Sequence, residues 1–166
     1  RTLGLGYPGG PAISKAARQG DPKAYKLPVP RVDGRYDVSF SGLKTAVLNA
    51  VNQAQMKNEP LDVPGMAASF ERRIDEILAE KLLLAARDTG AERLCLAGGV
   101  AANGLLRSLL NEGAQSLGAR LYLPQLPLCG DNAAMIAAQG YYEYQAGHTA
   151  GMDLNGLATL PIDHCE

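Results

Sequence analysis

Leu94-Cys95-Leu96-Ala97-Gly98-Gly99-Val100-Ala101-Ala102-Asn103 is a short apolar run that ends in a glycine pair and leads into a helical apolar period. A run this short and continuous reads as a buried parallel strand, with Cys95 in the core. It is followed by a helix from about Ala102 to Leu117. Arg120-Leu121-Tyr122-Leu123-Pro124 reads as a second strand, and Asp131 opens a last helix through Ala134, Ile136, Ala137, Ala138, Tyr141 and Tyr144 to Gly147. The order β-α-β-α predicts an α/β domain with parallel pairing, helices on the sheet faces and right-handed crossovers.

Upstream the period is helical. Residues 4–37 hold Gly6, Pro8-Gly9-Gly10-Pro11, Gly20-Asp21-Pro22, Pro28, Pro30 and Asp33-Gly34, so they read as irregular exposed chain with a short helix near 12–18. Leu43, Ala46, Val47, Ala50, Val51 and Ala54 predict a helix from Ser41 to about Gln55, closed by Asn58-Glu59-Pro60. Pro64 suits a first helical turn, and Phe70, Ile74, Ile77, Leu78, Leu82 and Ala85 form one stripe that stops before Gly90.

The 166 residues, 46% of them apolar, suffice for one compact core and give no sign of a second independent domain. No unbroken apolar run reaches the roughly 20 residues of a membrane span, and no basic-then-apolar signal pattern opens the chain, so a cytoplasmic protein is expected. Cys95, Cys129 and Cys165 lie far apart without a CxxC pair, as reduced thiols do. The net charge is -1, but residues 1–44 carry eight Lys/Arg against three acids. Such a local basic segment can collect phosphate-rich partners, and it is equally compatible with a solvated loop. Arg1 in place of an initiating Met leads us to expect a fragment of a longer chain.

Four segments can carry chemistry. Gly98 and Gly99 let a ligand approach the backbone at a helix start, and Asn103 can offer its amide to a ribose or a base, or simply cap the helix. A pure cap would tolerate Asp in place of Asn103. Tyr7-Pro8-Gly9-Gly10-Pro11 can wall a flat or phosphorylated ligand, or serve as a surface turn. Asp131, in Cys129-Gly130-Asp131-Asn132, can cap the last helix or ligate a metal. His148 and His164 have no helical HxxxH spacing, so the chain does not complete a metal site alone. Ser39-Phe40-Ser41-Gly42-Leu43-Lys44-Thr45 lacks the phosphate-loop spacing, and Ser41 is expected to cap a helix.

Taken in order, YPGGP, SFSGLKTAV, LAGGVAANGLLR and PLCGDNAAMIA resemble the tRNA threonylcarbamoyl adenosine transferase family, called TsaD or Gcp, over roughly residues 3–157. The resemblance implies the actin-like ATPase superfold of sugar kinases and heat-shock chaperones, with this chain as the C-terminal lobe, residues 1–166, built on a mixed sheet. It implies transfer of a threonylcarbamoyl group from threonylcarbamoyl-AMP to the exocyclic amine of the adenosine beside the anticodon, in tRNAs reading codons that start with A. Gly10 and Asn103 then become nucleotide contacts, with Gly98 and Gly99 as backbone neighbours, and Asp131 becomes the one C-terminal metal ligand. The expected ligands are one divalent metal, iron or else zinc, and threonylcarbamoyl-AMP or an ATP-like nucleotide. The expected partners are tRNA and the companion proteins TsaB and TsaE. The family's paired metal histidines and its SGGHT loop are not in this sequence, so the chain alone is expected to be inactive. Its tail, Thr159 to Glu166, departs from the family's usual ending, and no role is carried onto it. Two alternatives are a non-catalytic dimerisation partner of the same superfold and a sugar-kinase-like phosphotransferase.

Overall fold

The computed structural model describes residues 2–159; His164 and Cys165 lie outside them. The chain forms two compact units, residues 1–129 and residues 130–166.

The first unit is organised around its longest helix, α3 (Val63–Thr89). Asp62 caps it by accepting from the Gly65 amide, Pro64 occupies its first turn, and Gly90 closes it at φ 67°. The other helices are α1 (Gly9–Ala17), α2 (Ser41–Lys57) and α4 (Gly104–Ser116). Leu43 and Val47 of α2 pack with Leu27 onto Met66 and Ile77 of α3. On a different stretch, Ala67 and Ala68 receive Ala17 and Ile13 of α1. Further along, Ala79 and Ala86 receive Leu106, Leu110 and Ala114 of α4. Alanines on these faces of α3 let both neighbours approach closely, and burying Leu106 and Leu110, each 1% exposed, contributes about 1.5–3 kcal/mol apiece.

Strands β1 (Arg93–Cys95) and β2 (Arg120–Tyr122) pair in parallel, with Leu94 opposite Leu121, and α4 is the crossover between them. Among the described residues the sheet has these two strands only, so the mixed sheet is replaced by a small parallel one. Leu94 is buried beneath α3 and α4, but Cys95 is exposed. The expectation of a core Cys95 fails because side chains alternate along a strand and helices cover only the Leu94 face.

Several element starts also differ from expectation. α1 begins at Gly9, not near residue 12, because Pro11 falls in its first turn, where a missing N–H costs nothing. Gly10 is therefore helical rather than part of a stiff loop. Phe40, not Ser41, occupies the N-cap of α2, and Ser41 is already helical with its carbonyl accepting from Thr45 Oγ1. A short 3-10 turn, Gly99–Ala102, precedes α4.

In the second unit α5 (Ala133–Gln145) is capped by Asn132, whose side chain accepts from the Met135 amide. The capping role expected of Asp131 thus passes to its neighbour, and Asp131 is exposed. No helix among the described residues is long and apolar enough to cross a membrane.

Candidate nucleotide-facing turn and its acidic anchor

The β1 exit is set by Gly98, whose φ of 84° and ψ of 177° lie in a region open essentially to glycine. Nothing stands within 4 Å of where a Cβ would be at Gly98, Gly99 or Gly10, so all three backbones are approachable. The chain then turns through Gly99–Ala102 into Asn103, the N-cap of α4.

Asn103 is fully occupied in capping and anchoring. Its Oδ1 accepts from the Leu106 amide at 3.0 Å, and its Nδ2 donates to Glu71 Oε1 at 3.2 Å. The hydroxyl of Ser14 donates to the same Glu71 oxygen. Glu71 therefore joins the helix that starts with the Gly9-Gly10 turn to the turn that follows Gly98-Gly99. Asp75, one helical turn further along α3, is 1% exposed, and its Oδ2 has no hydrogen-bond partner. Burial raises its pKa to about 7, the Glu71 charge adds to the rise, and the Asn103 amide works against it.

This geometry corrects the expectation that Asp at position 103 would be harmless to a cap. A third carboxylate would replace the amide that lies between Glu71 and Asp75, so repulsion would lower stability whether or not a ligand binds there.

Arg107 ties the turn to the segment after β2. Its guanidinium donates to the Ala101 carbonyl, to the Pro124 carbonyl at 2.6 Å and to Cys129 Sγ at 3.5 Å. The sequence reading passed over Ser14, Glu71, Asp75 and Arg107. The one available signal was Asp75, a charge at helical spacing from Ala68, Ala79 and Ala86.

Asp131 belongs to the second unit. There His148 Nδ1 lies 2.6 Å from Glu143 Oε2, and the hydrogen bonds from His148 and then Gln139 hold the Glu143 carboxyl below its usual range. Among the described residues no three His, Cys, Asp or Glu converge. One exposed carboxylate does not satisfy a cation that takes four or more ligands, so the described residues do not form a metal site by themselves.

The basic segment separates into two groups. Arg35 is committed to α3: its Nε and Nη2 reach the Asp88 carboxylate at 2.5 and 3.1 Å, and Lys81 Nζ donates to its carbonyl. The hydrogen bond to Asp88 and then the Asp88 charge raise the Arg35 pKa; the hydrogen bonds from Arg35, then Tyr36, lower that of Asp88. Lys23 and Lys26 instead line a groove of about 420 Å³ with Tyr25, Arg72 and Arg73. Glu76 pairs with both arginines, at 2.7 and 3.3 Å, and Arg73 Nε is buried without a partner.

Residues 1–138 match the family profile described as tRNA N6-adenosine threonylcarbamoyltransferase. The chain is 51% identical over 163 residues to the protein of that name from Desulfitobacterium hafniense, covering 98% of this chain and 48% of the relative. It is 48% identical over 162 residues to that of Symbiobacterium thermophilum, covering 98% and 47%. Against that of Gloeobacter violaceus it is 44% identical over 166 residues, 100% of this chain and 48% of the relative. The chain thus spans about half the length of these curated relatives.

Proposed function

Because this chain belongs to the tRNA N6-adenosine threonylcarbamoyltransferase family, we propose that it forms the C-terminal, nucleotide-facing lobe of such an enzyme, in the actin-like ATPase arrangement. The observation that carries this reading is the 51% identity along 98% of the chain. In the reaction the exocyclic amine of the adenosine beside the anticodon attacks the carbamoyl carbon of threonylcarbamoyl-AMP, the mixed-anhydride bond breaks, and AMP leaves with the phosphate charge. Gly10, Gly98 and Gly99 offer backbone without side chains for the nucleotide to lie against, and the free N–H groups of the first turn of α1 suit a phosphate. No side chain of the first unit is assigned as a base; positioning of amine and adenylate does the work.

The remaining catalytic parts belong to the half of the relatives that this chain does not span. Asp131 would supply one oxygen to a divalent iron or zinc, and the lobe would work in the cytoplasm with tRNA and the companion proteins TsaB and TsaE. The test is nucleoside analysis of tRNA incubated with threonylcarbamoyl-AMP and this chain, alone and joined to the first half of the Desulfitobacterium hafniense relative. Modified adenosine is expected from the joined protein only. No product from the joined protein, where the intact relative makes it, would overturn the reading.

Two predictions arise here. Calorimetric titration of the chain alone with zinc or ferrous iron should give no sub-micromolar site, and a tight stoichiometric site that survives Asp131→Ala would contradict the ligand assignment. For tRNA, the groove that carries Lys23 and Lys26 is the docking surface that the charges favour. A double change of these lysines to Gln should flatten the plot of log affinity against log salt by about 1 per lost phosphate contact. Arg35→Gln should leave the slope alone, since Asp88 already holds that guanidinium. The reverse pattern would move the interface to the Arg35 side.

A further inference from the structure

We infer that Glu71 is a positioning residue: through one carboxyl oxygen it fixes the Asn103 carboxamide and locks the turn after Gly98-Gly99 to the helix that begins at Gly9-Gly10. Three observations carry this. Both Ser14 Oγ and Asn103 Nδ2 donate to the same atom, Glu71 Oε1, from two elements that meet nowhere else through side-chain hydrogen bonds among the described residues. Asn103 cannot rotate freely, because its Oδ1 is the cap acceptor for Leu106. An amide flip would present an acceptor to Glu71 and a donor to the Leu106 N–H, breaking both bonds at once. Finally, Asp75, one turn further along α3, is 1% exposed with an unpartnered oxygen, so the helix beside Glu71 is closed to water on that side.

Glu71 Oε1 and the Leu106 N–H therefore define a single orientation of the Asn103 head group, and that orientation fixes the start of α4 beside the turn. A ligand at the turn meets a prearranged surface and does not have to order it, which is where affinity is gained without new contacts. The role requires an acceptor at the Glu71 position, not a charge. Glutamine should replace it, with its Oε1 accepting the same two hydrogens; alanine should not.

The inference rests on the nucleotide reading above only for its consequence, so the test has two arms. In the first, the side-chain amide resonances of Asn103 are followed by NMR in the ligand-free chain. They should be dispersed and slow to exchange in the wild type and in Glu71→Gln, and collapse toward free-amide positions in Glu71→Ala. Unchanged resonances in Glu71→Ala overturn the inference. In the second arm AMP is titrated. Glu71→Ala should bind about tenfold more weakly, a loss of the order of one hydrogen bond, while Glu71→Gln stays within about twofold. Equal losses for both variants would mean that charge, not orientation, matters, and would also overturn it. Absence of AMP binding in the wild type removes the nucleotide reading alone, and the resonances still decide the role of Glu71.

Discussion

Asp75→Asn should make the protein more stable at pH 8 by about 2–4 kcal/mol and leave it nearly unchanged at pH 4. The carboxyl is 1% exposed, with one oxygen unpartnered and Glu71 a helical turn away. Burial first and the Glu71 charge second raise its pKa from 3.8 to about 7. The folded chain therefore keeps a proton that the unfolded chain releases above pH 4. Stability is fully present below that point, falls as pH rises toward 7 and levels off once the folded form also ionises. Each unit of displacement corresponds to about 1.4 kcal/mol, and three units set the upper end of the expected gain. Asparagine removes the buried charge, and its amide can donate toward Glu71. The measurement is chemical denaturation of both proteins at pH 4, 6 and 8. Parallel stability curves for the two would show that Asp75 titrates alike in the folded and unfolded chains and that its surroundings are wetter than its burial indicates.

Gly20→Ala should cost about 3 kcal/mol or more, at the upper end of what overpacking does. A Cβ at residue 20 would stand 2.0 Å from the Pro64 carbonyl oxygen, 2.2 Å from its carbon and 2.5 Å from the Gly65 nitrogen. These are backbone atoms in the first turn of α3, stiffened by the proline ring and by the Asp62 cap on Gly65, so no side chain can swing aside to relieve the contact. The turn after α1 must then lift from α3, pulling Ala17 away from Ala67 and Ala68. Gly10→Ala is the control with the opposite sign. It is helical and open, so alanine should stabilise by about 0.5–1 kcal/mol. Denaturation midpoints of the two variants test both; a Gly20→Ala protein as stable as the wild type would mean that the α1–α3 junction is looser than its geometry.

Local rules carried the helices of the sequence reading well. The 3-and-4 period of Leu43, Val47 and Ala50, the Pro64 start and the Gly90 stop lie in short stretches of chain, and the observed α2 and α3 obey them. The β-α-β order and parallel pairing were legible for the same reason, since an apolar run, a glycine pair and a helical period are adjacent in the chain. Family membership was legible too, because it depends on the order of short motifs and not on their contacts.

Contacts between distant residues were not legible. Cys95 looked like core because its neighbours are apolar, but which strand face is covered depends on where α3 and α4 lie. Asn132 rather than Asp131 caps α5, a choice between adjacent residues that composition does not decide. Above all, Glu71 and Asp75 lie outside the apolar stripe that periodicity picks out on α3. The packing of α1 and α4 against the small residues of α3 turned their side inward, placing Ser14, 57 residues away, and Asn103, 32 residues away, on one carboxyl oxygen. Periodicity assigns a side chain to a face of its own helix. Only the neighbours brought by the fold decide whether that face meets water, and with it the ionisation of Asp75 and the orientation of Asn103.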